Sequence, residues 1–98
     1  MIGDIYKATS KTSGKSYIGQ ANKHIGRFHK KWGYLKRWKS HVKEAYSSAK
    51  DHCCLLNNAI RKYGNDDFNI ELVCECITRE EMNLKEIFYI QHFNSLAP

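Results

Sequence analysis

Two phenols, a guanidinium, an imidazole and a carboxylate are the side chains whose positions in this chain invite chemistry. Tyr6 and Tyr17 flank a Thr12-Ser13-Gly14-Lys15 turn, each beside an isoleucine, Ile5 and Ile18, in stretches with strand-like composition. Gly14 can supply the positive φ that a tight hairpin turn needs. If position 6 pairs with position 17, the phenols are cross-strand neighbours on one face, about 4.5–5.5 Å apart at Cβ. Two such groups next to Gly19 are an odd choice for an ordinary apolar core. Arg37 and His41 stand one helical turn apart and can reach a common site beside the sheet. On spacing alone, a surface arginine and a boundary histidine explain that pair better.

Glu86 is the sharper anomaly. Met82, Ile90 and Phe93 mark the apolar stripe of the last helix, and Glu86 falls midway between Met82 and Ile90. An unpaired carboxylate buried there is costly, so it either meets a buried cation or binds a metal in a cleft.

The elements that must position these groups follow from periodicity. The hairpin spans the first twenty residues, and Ala21 to Gly33 reads as a basic loop with a short helical turn, Phe28 and Trp32 interleaving its charges. From Tyr34 to Lys50 the period becomes helical: Tyr34, Leu35, Trp38, Val42, Ala45, Tyr46 and Ala49 form one stripe, with Lys36, Lys39, Lys43 and Lys50 away from it. A second helix runs from about Cys53 to Tyr63 and stops at Gly64-Asn65. Phe68, Ile70, Leu72, Cys74 and Cys76 alternate as the buried face of a strand. Thr78 with Glu81 is a capping box that opens the last helix. The expected fold is α+β: a three-stranded antiparallel sheet, made of the N-terminal hairpin and one later strand, flanked by three helices. No linker or repeat interrupts it, so residues 1–98 read as one domain.

Charge narrows the partner. The net charge of +6 is concentrated in residues 21–50, which carry nine Lys or Arg against the single Glu44, while residues 51–98 are net acidic. Such a patch is the footprint of a polyanion, most often nucleic acid, although a solvated helix face also explains it. No apolar run approaches the roughly 18–20 residues of a membrane span, and no secretory leader is visible, so an intracellular setting, cytoplasm or nucleus, and no membrane partner are expected. Cys53-Cys54 and Cys74-x-Cys76 lack the spacing of common zinc sites, even with His52 nearby, and read as reduced, buried thiols.

Asp4-Ile5-Tyr6 and Tyr17-Ile18-Gly19 resemble the two halves of the motif that names the GIY-YIG nuclease family, with Asp4 where the name has Gly. Lys36-Arg37-Trp38-Lys39-Ser40-His41 is similar to that family's first long helix, and Lys62-Tyr63-Gly64 with Phe68 to its helix-to-strand junction. Lys85-Glu86-Ile87-Phe88-Tyr89-Ile90 is similar to the late helix that carries its metal-binding Glu. The resemblance implies a DNA endonuclease, with Glu86 holding one Mg2+ (Mn2+ as a substitute) and Arg37 gripping the scissile phosphate. Tyr6 would be the general base, Tyr17 would orient water or phosphate, and His41 would relay a proton or steady a tyrosine. One strand would be cut per site, so a dimer or two nicks would make a double-strand break. A homing or mobile-element enzyme fits the compact form best; restriction or branched-DNA repair enzymes share this core, and a non-catalytic binding module is the alternative from another class. Two departures stand out: a longer stretch between Gln20 and Arg37, which makes the Arg27–Trp32 loop a candidate substrate feature, and no match for the family's late Asn, a role that Asn94 does not inherit.

Overall fold

The structure, a computed structural model, describes residues 2–25, 30–31, 33–47, 54–93 and 95. Strands β1 (Gly3–Ser10) and β2 (Ser16–Asn22) form the hairpin. A small ribbon follows, β3 (His24–Ile25) with β4 (Lys30–Lys31), then α1 (Tyr34–Ala45), α2 (Cys54–Tyr63), a 3-10 turn at Asn65–Asp67, β5 (Phe68–Cys76) and α3 (Arg79–His92). The main sheet is antiparallel with order β2-β1-β5, so the expected α+β architecture of a hairpin, one later strand and three helices is the one found. Among the described residues no helix is long and apolar enough to cross a membrane.

Each face of the sheet has its own core. Ala8, Tyr17 and Phe68 pack against Trp38 and Ala45 of α1 and Leu56, Ala59 and Ile60 of α2. Ile5, Ile18 and Cys76 pack on the other face against Met82 of α3, with Tyr89 and Ile90 closing over them. Gly3 has no side chain because Met82 fills the space that a Cβ would take. Burial pushes the Cys76 thiol up to about 12, with Cys74 adding to the shift, so Cys76 is a small core side chain rather than a thiolate. Cys53 lies outside the described residues.

Four expectations are corrected. Position 6 does not face position 17: Tyr6 pairs with Gly19 and Tyr17 with Ala8, which makes the tyrosines diagonal neighbours on one face. Ala21 to Gly33 is not a loop with a helical turn, since β2 runs on to Asn22 and β3 pairs with β4; Arg27, Phe28 and Trp32 lie outside the described residues. β5 does not keep one buried face. Its partners step from Leu72 opposite Tyr6 to Cys74 opposite Ile5, so Val73 is the extra residue of a bulge. Phe68 and Ile70 therefore serve the α1/α2 core, Cys74 and Cys76 serve the α3 core, and Leu72 is left 41% exposed. Helix α1 stops at Ala45 instead of continuing to Lys50. Arg61 from α2 donates to the Ala45 carbonyl at 2.9 Å and satisfies one of the last carbonyls of α1.

The other element ends have local causes. Thr78 Oγ1 accepts from the Glu81 backbone N–H at 3.1 Å and starts α3. Asp67 accepts from Ser10 Oγ at 2.6 Å and Thr12 Oγ1 at 2.7 Å, tying the hairpin turn to the start of β5. Helix α1 begins after Gly33, which has no capping side chain. Asp4, buried in β1, does that work from a distance: its Oδ2 accepts from the Tyr34 N–H at 3.1 Å, and its Oδ1 pairs with Lys23 Nζ at 2.7 Å. Lys23 also pairs with Glu75 at 2.7 Å. The residue at the family's Gly position thus fastens β1, the end of β2, and the helix that carries Arg37 and His41. Asp4→Ala should cost about 1–2 kcal/mol, the loss of a helix cap, and lower the melting temperature by roughly 5–15 °C. Asp4→Asn, which keeps an acceptor, should lose less. A thermal melt of the Ala variant that matches the parent would refute the link.

Candidate active site

Alternation along β1 and β2 puts Tyr6, Ala8, Tyr17 and Gly19 on the face that α1 covers. Tyr6 lies across Gly19: a Cβ there would stand 2.5 Å from its hydroxyl and 2.6 Å from Cζ. This path takes the phenol to α1, where its oxygen is 2.9 Å from His41 Nε2. Both residues are buried.

His41 is not the boundary residue that its spacing suggests. It is 0% exposed, with the Trp38 ring centroid 6.5 Å from its own. Burial first, and the Arg37 charge second, lower its pKa from 6.5 to about 4, against a weaker pull from Glu44. It is therefore uncharged at neutral pH. Among the described residues its Nδ1 has no hydrogen-bond partner, so the one polar contact of the ring described is with Tyr6. With its proton on Nδ1, the neutral ring can accept a hydrogen bond from the phenol at Nε2.

Tyr17 has a different setting. Its ring is 6.4 Å from that of Phe68, and burial, then neighbouring Tyr63, push its phenol pKa up. Arg37 is partly exposed in the first turn of α1, close enough for its charge to reach His41. Glu86 lies over the other face of the sheet, on α3. It is half-buried, burial raises its pKa, and a hydrogen bond from the Gln20 side chain acts against that rise. Tyr6, His41 and Arg37 thus form one group and Tyr17 adjoins it, while Glu86 approaches from behind. What they share is β2, an edge strand that both α1 and α3 touch. Tyr6 covers position 19 on one face and Glu86 meets position 20 on the other.

The family-model comparison decides what this arrangement belongs to: the description "Putative endonuclease segE, GIY-YIG domain" matches residues 1–97. The chain belongs to the GIY-YIG nuclease family. Among solved structures it is similar to a mutant of the catalytic domain of the intron endonuclease I-TevI, at 25% identity and a TM-score of 0.72, covering 96% of this chain and 86% of that one. It is also similar to the catalytic domain of the homing endonuclease I-TevI, at 22% identity and a TM-score of 0.72, covering 97% and 96%. A search of curated proteins returned no match. The chain is a GIY-YIG endonuclease domain, which implies DNA as its substrate class.

GIY-YIG nucleases are in general divalent-metal-dependent, and Glu86 fits that need. Among the described residues no cation pairs with it. The Gln20 amide beside it donates through Nε2 to Asn83 Oδ1 at 3.0 Å, and among the described residues its buried Oε1 has no partner. A carboxylate and an orphaned amide oxygen are hard donors that suit Mg2+. Gln20 and Asn83 went unremarked in the sequence, although alternation after Ile18 already places Gln20 on the α3 face. Lys23 left no comparable signal.

The histidine gives the site a testable pH signature. Unfolded, His41 binds a proton near 6.5; folded, only near 4. Between those values the unfolded chain holds more protons, so His41 makes stability fall as pH drops from about 6.5 towards 4, by roughly 3 kcal/mol in all. Denaturant unfolding across that window should show the loss, and NMR titration of the His41 ring should give a midpoint near 4. A midpoint near 6.5 would overturn the buried neutral histidine.

Proposed function

We propose that residues 1–98 form one divalent-metal-dependent DNA endonuclease domain of the homing type, acting inside its host cell and cutting one strand per active site. The observation that carries this reading is the 2.9 Å contact between the Tyr6 hydroxyl and Nε2 of uncharged His41. Phosphodiester hydrolysis needs a deprotonated water, compensation for charge growing on the phosphate, and help for the departing 3′ oxygen. Tyr6 takes a proton from the attacking water while its own phenol proton passes to His41 Nε2. The new P–O bond forms as the bond to the 3′ oxygen breaks, and the imidazolium holds the proton. The relay avoids a free phenolate, which a phenol of ordinary pKa near 10 would rarely supply. Tyr17, whose ring packs against Phe68 rather than reaching His41, orients water or phosphate.

Arg37 grips the scissile phosphate through its planar fork. Its charge, which helps to keep His41 neutral, is then offset by the phosphate, and protonation of His41 becomes easier. Bound Mg2+, or Mn2+ in its place, supplies Lewis-acid charge at the phosphate and the leaving oxygen. Glu86 would hold the ion, with the Gln20 amide beside it. Homing is favoured over restriction or repair because the similar structures are of an intron and homing endonuclease. A double-strand break takes two copies or two successive nicks.

Arg37→Ala and Glu86→Ala should each slow Mg2+-dependent nicking of supercoiled plasmid by about 10²–10³-fold, with circular dichroism unchanged and EDTA abolishing the parent's activity. Full activity in either variant removes that residue from the site. Cut ends that map to branched DNA rather than to a defined sequence would overturn the homing assignment alone. DNA binding by the parent without cleavage would favour a binding module.

A further inference from the structure

Turning by about 100° per residue, α1 directs Trp38, His41 and Ala45 into the protein and Lys36, Lys39 and Lys43 outward. Those three lysines and Ser40 line a shallow groove of about 350 Å³. All three lysines are exposed, and among the described residues neither Lys39 nor Lys43 is in an ion pair. Arg37, Ser40 and Lys43 follow one another at three-residue steps, so the groove runs on from the arginine in a continuous row. Helix α1 carries four cations against one carboxylate, Glu44, whereas Glu71, Glu75, Glu80, Glu81 and Glu86 lie on β5 and α3. Of these, Glu71 and the three glutamates of α3 lie on the face away from α1, so the α1 flank is the more cationic one.

We infer that this groove is a second DNA contact, a track for phosphates flanking the one that is cut, with Ser40 donating a hydrogen bond and the three lysines matching charge. The inference rests on the endonuclease reading for its ligand, but not on cleavage. From Lys36 to Lys43 the helix rises about 10 Å, long enough to lie beside more than one phosphate of a DNA strand. The walls are largely lysine methylenes, but three cationic side chains along one groove favour an extended polyanion over a small apolar ligand. The track sets affinity and salt dependence. It does not touch the reacting atoms.

The test is binding of a short fluorescein-labelled duplex, by anisotropy in EDTA over a range of salt, followed by Mg2+-dependent cleavage. Lys36→Gln/Lys39→Gln/Lys43→Gln should flatten the slope of log affinity against log salt by about 2–3, and each of Lys39→Gln and Lys43→Gln alone by about 1. KM should rise at least roughly tenfold while kcat at saturating DNA changes less than about threefold, because uniform binding is what has been removed. A control that removes equal charge elsewhere, Lys15→Gln/Lys62→Gln/Lys85→Gln, should change the slope by less than about 1. An unaltered slope in the groove variants, or an equal change in the control, overturns the track even if the parent cleaves normally. A groove-dependent slope in a parent that never cleaves keeps the track and overturns the endonuclease reading.

Discussion

Tyr6 occupies the space that a side chain at position 19 would need, and much else depends on that vacancy. With the strand bare at Gly19, the ring lies flat over β2 and its hydroxyl reaches His41. The contact closes the sheet against α1, and the burial that goes with it keeps the imidazole neutral. A second fastening, Asp4 to the first turn of the same helix, stands two residues back along β1 and two helical turns back along α1. Two points fix a rod against a strand, and with it the direction in which Arg37 points.

The sheet also divides the labour. One face supplies the Tyr6–His41 contact and the cations of α1, while the other supplies a half-buried carboxylate and the remaining glutamates of α3. A cation-rich surface suits a polyanion, and a half-buried carboxylate that no lysine pairs with among the described residues suits a hard metal ion. They meet at β2 because an edge strand has no neighbour to separate its two faces.

Local chemistry explains how much could be read from the chain itself. The hairpin, the α3 cap and the Gly64 stop each depend on residues close in sequence, and each was legible. Glu86 was legible as a misfit in an apolar stripe. Spacing gives the direction of a side chain but not its depth, so His41 passed for a boundary residue although it is fully enclosed. The bulge left no mark because Leu72, Val73 and Cys74 are all apolar, and an alternation cannot show a change of phase where every residue suits either face. The Asp4 link is a contact between a strand and a helix thirty residues on, and no local pattern encodes it. The β3–β4 ribbon lies in a run of lysines and histidines without any period.

Val73 works as a frame shift within β5, letting one strand be read in two registers: Phe68 and Ile70 belong to the tyrosine side, Cys74 and Cys76 to the carboxylate side. Were Val73 paired with Ile5 in regular register instead of bulged, the far half of the strand would turn over, placing Glu75 opposite Gly3 under Met82 and drawing it away from Lys23. Because the phase is reset in mid-strand, the seat of α3 is decoupled from the half that seats Tyr6. The carboxylate helix can then be re-aimed by changes beyond residue 73 while the proton path stays where it is.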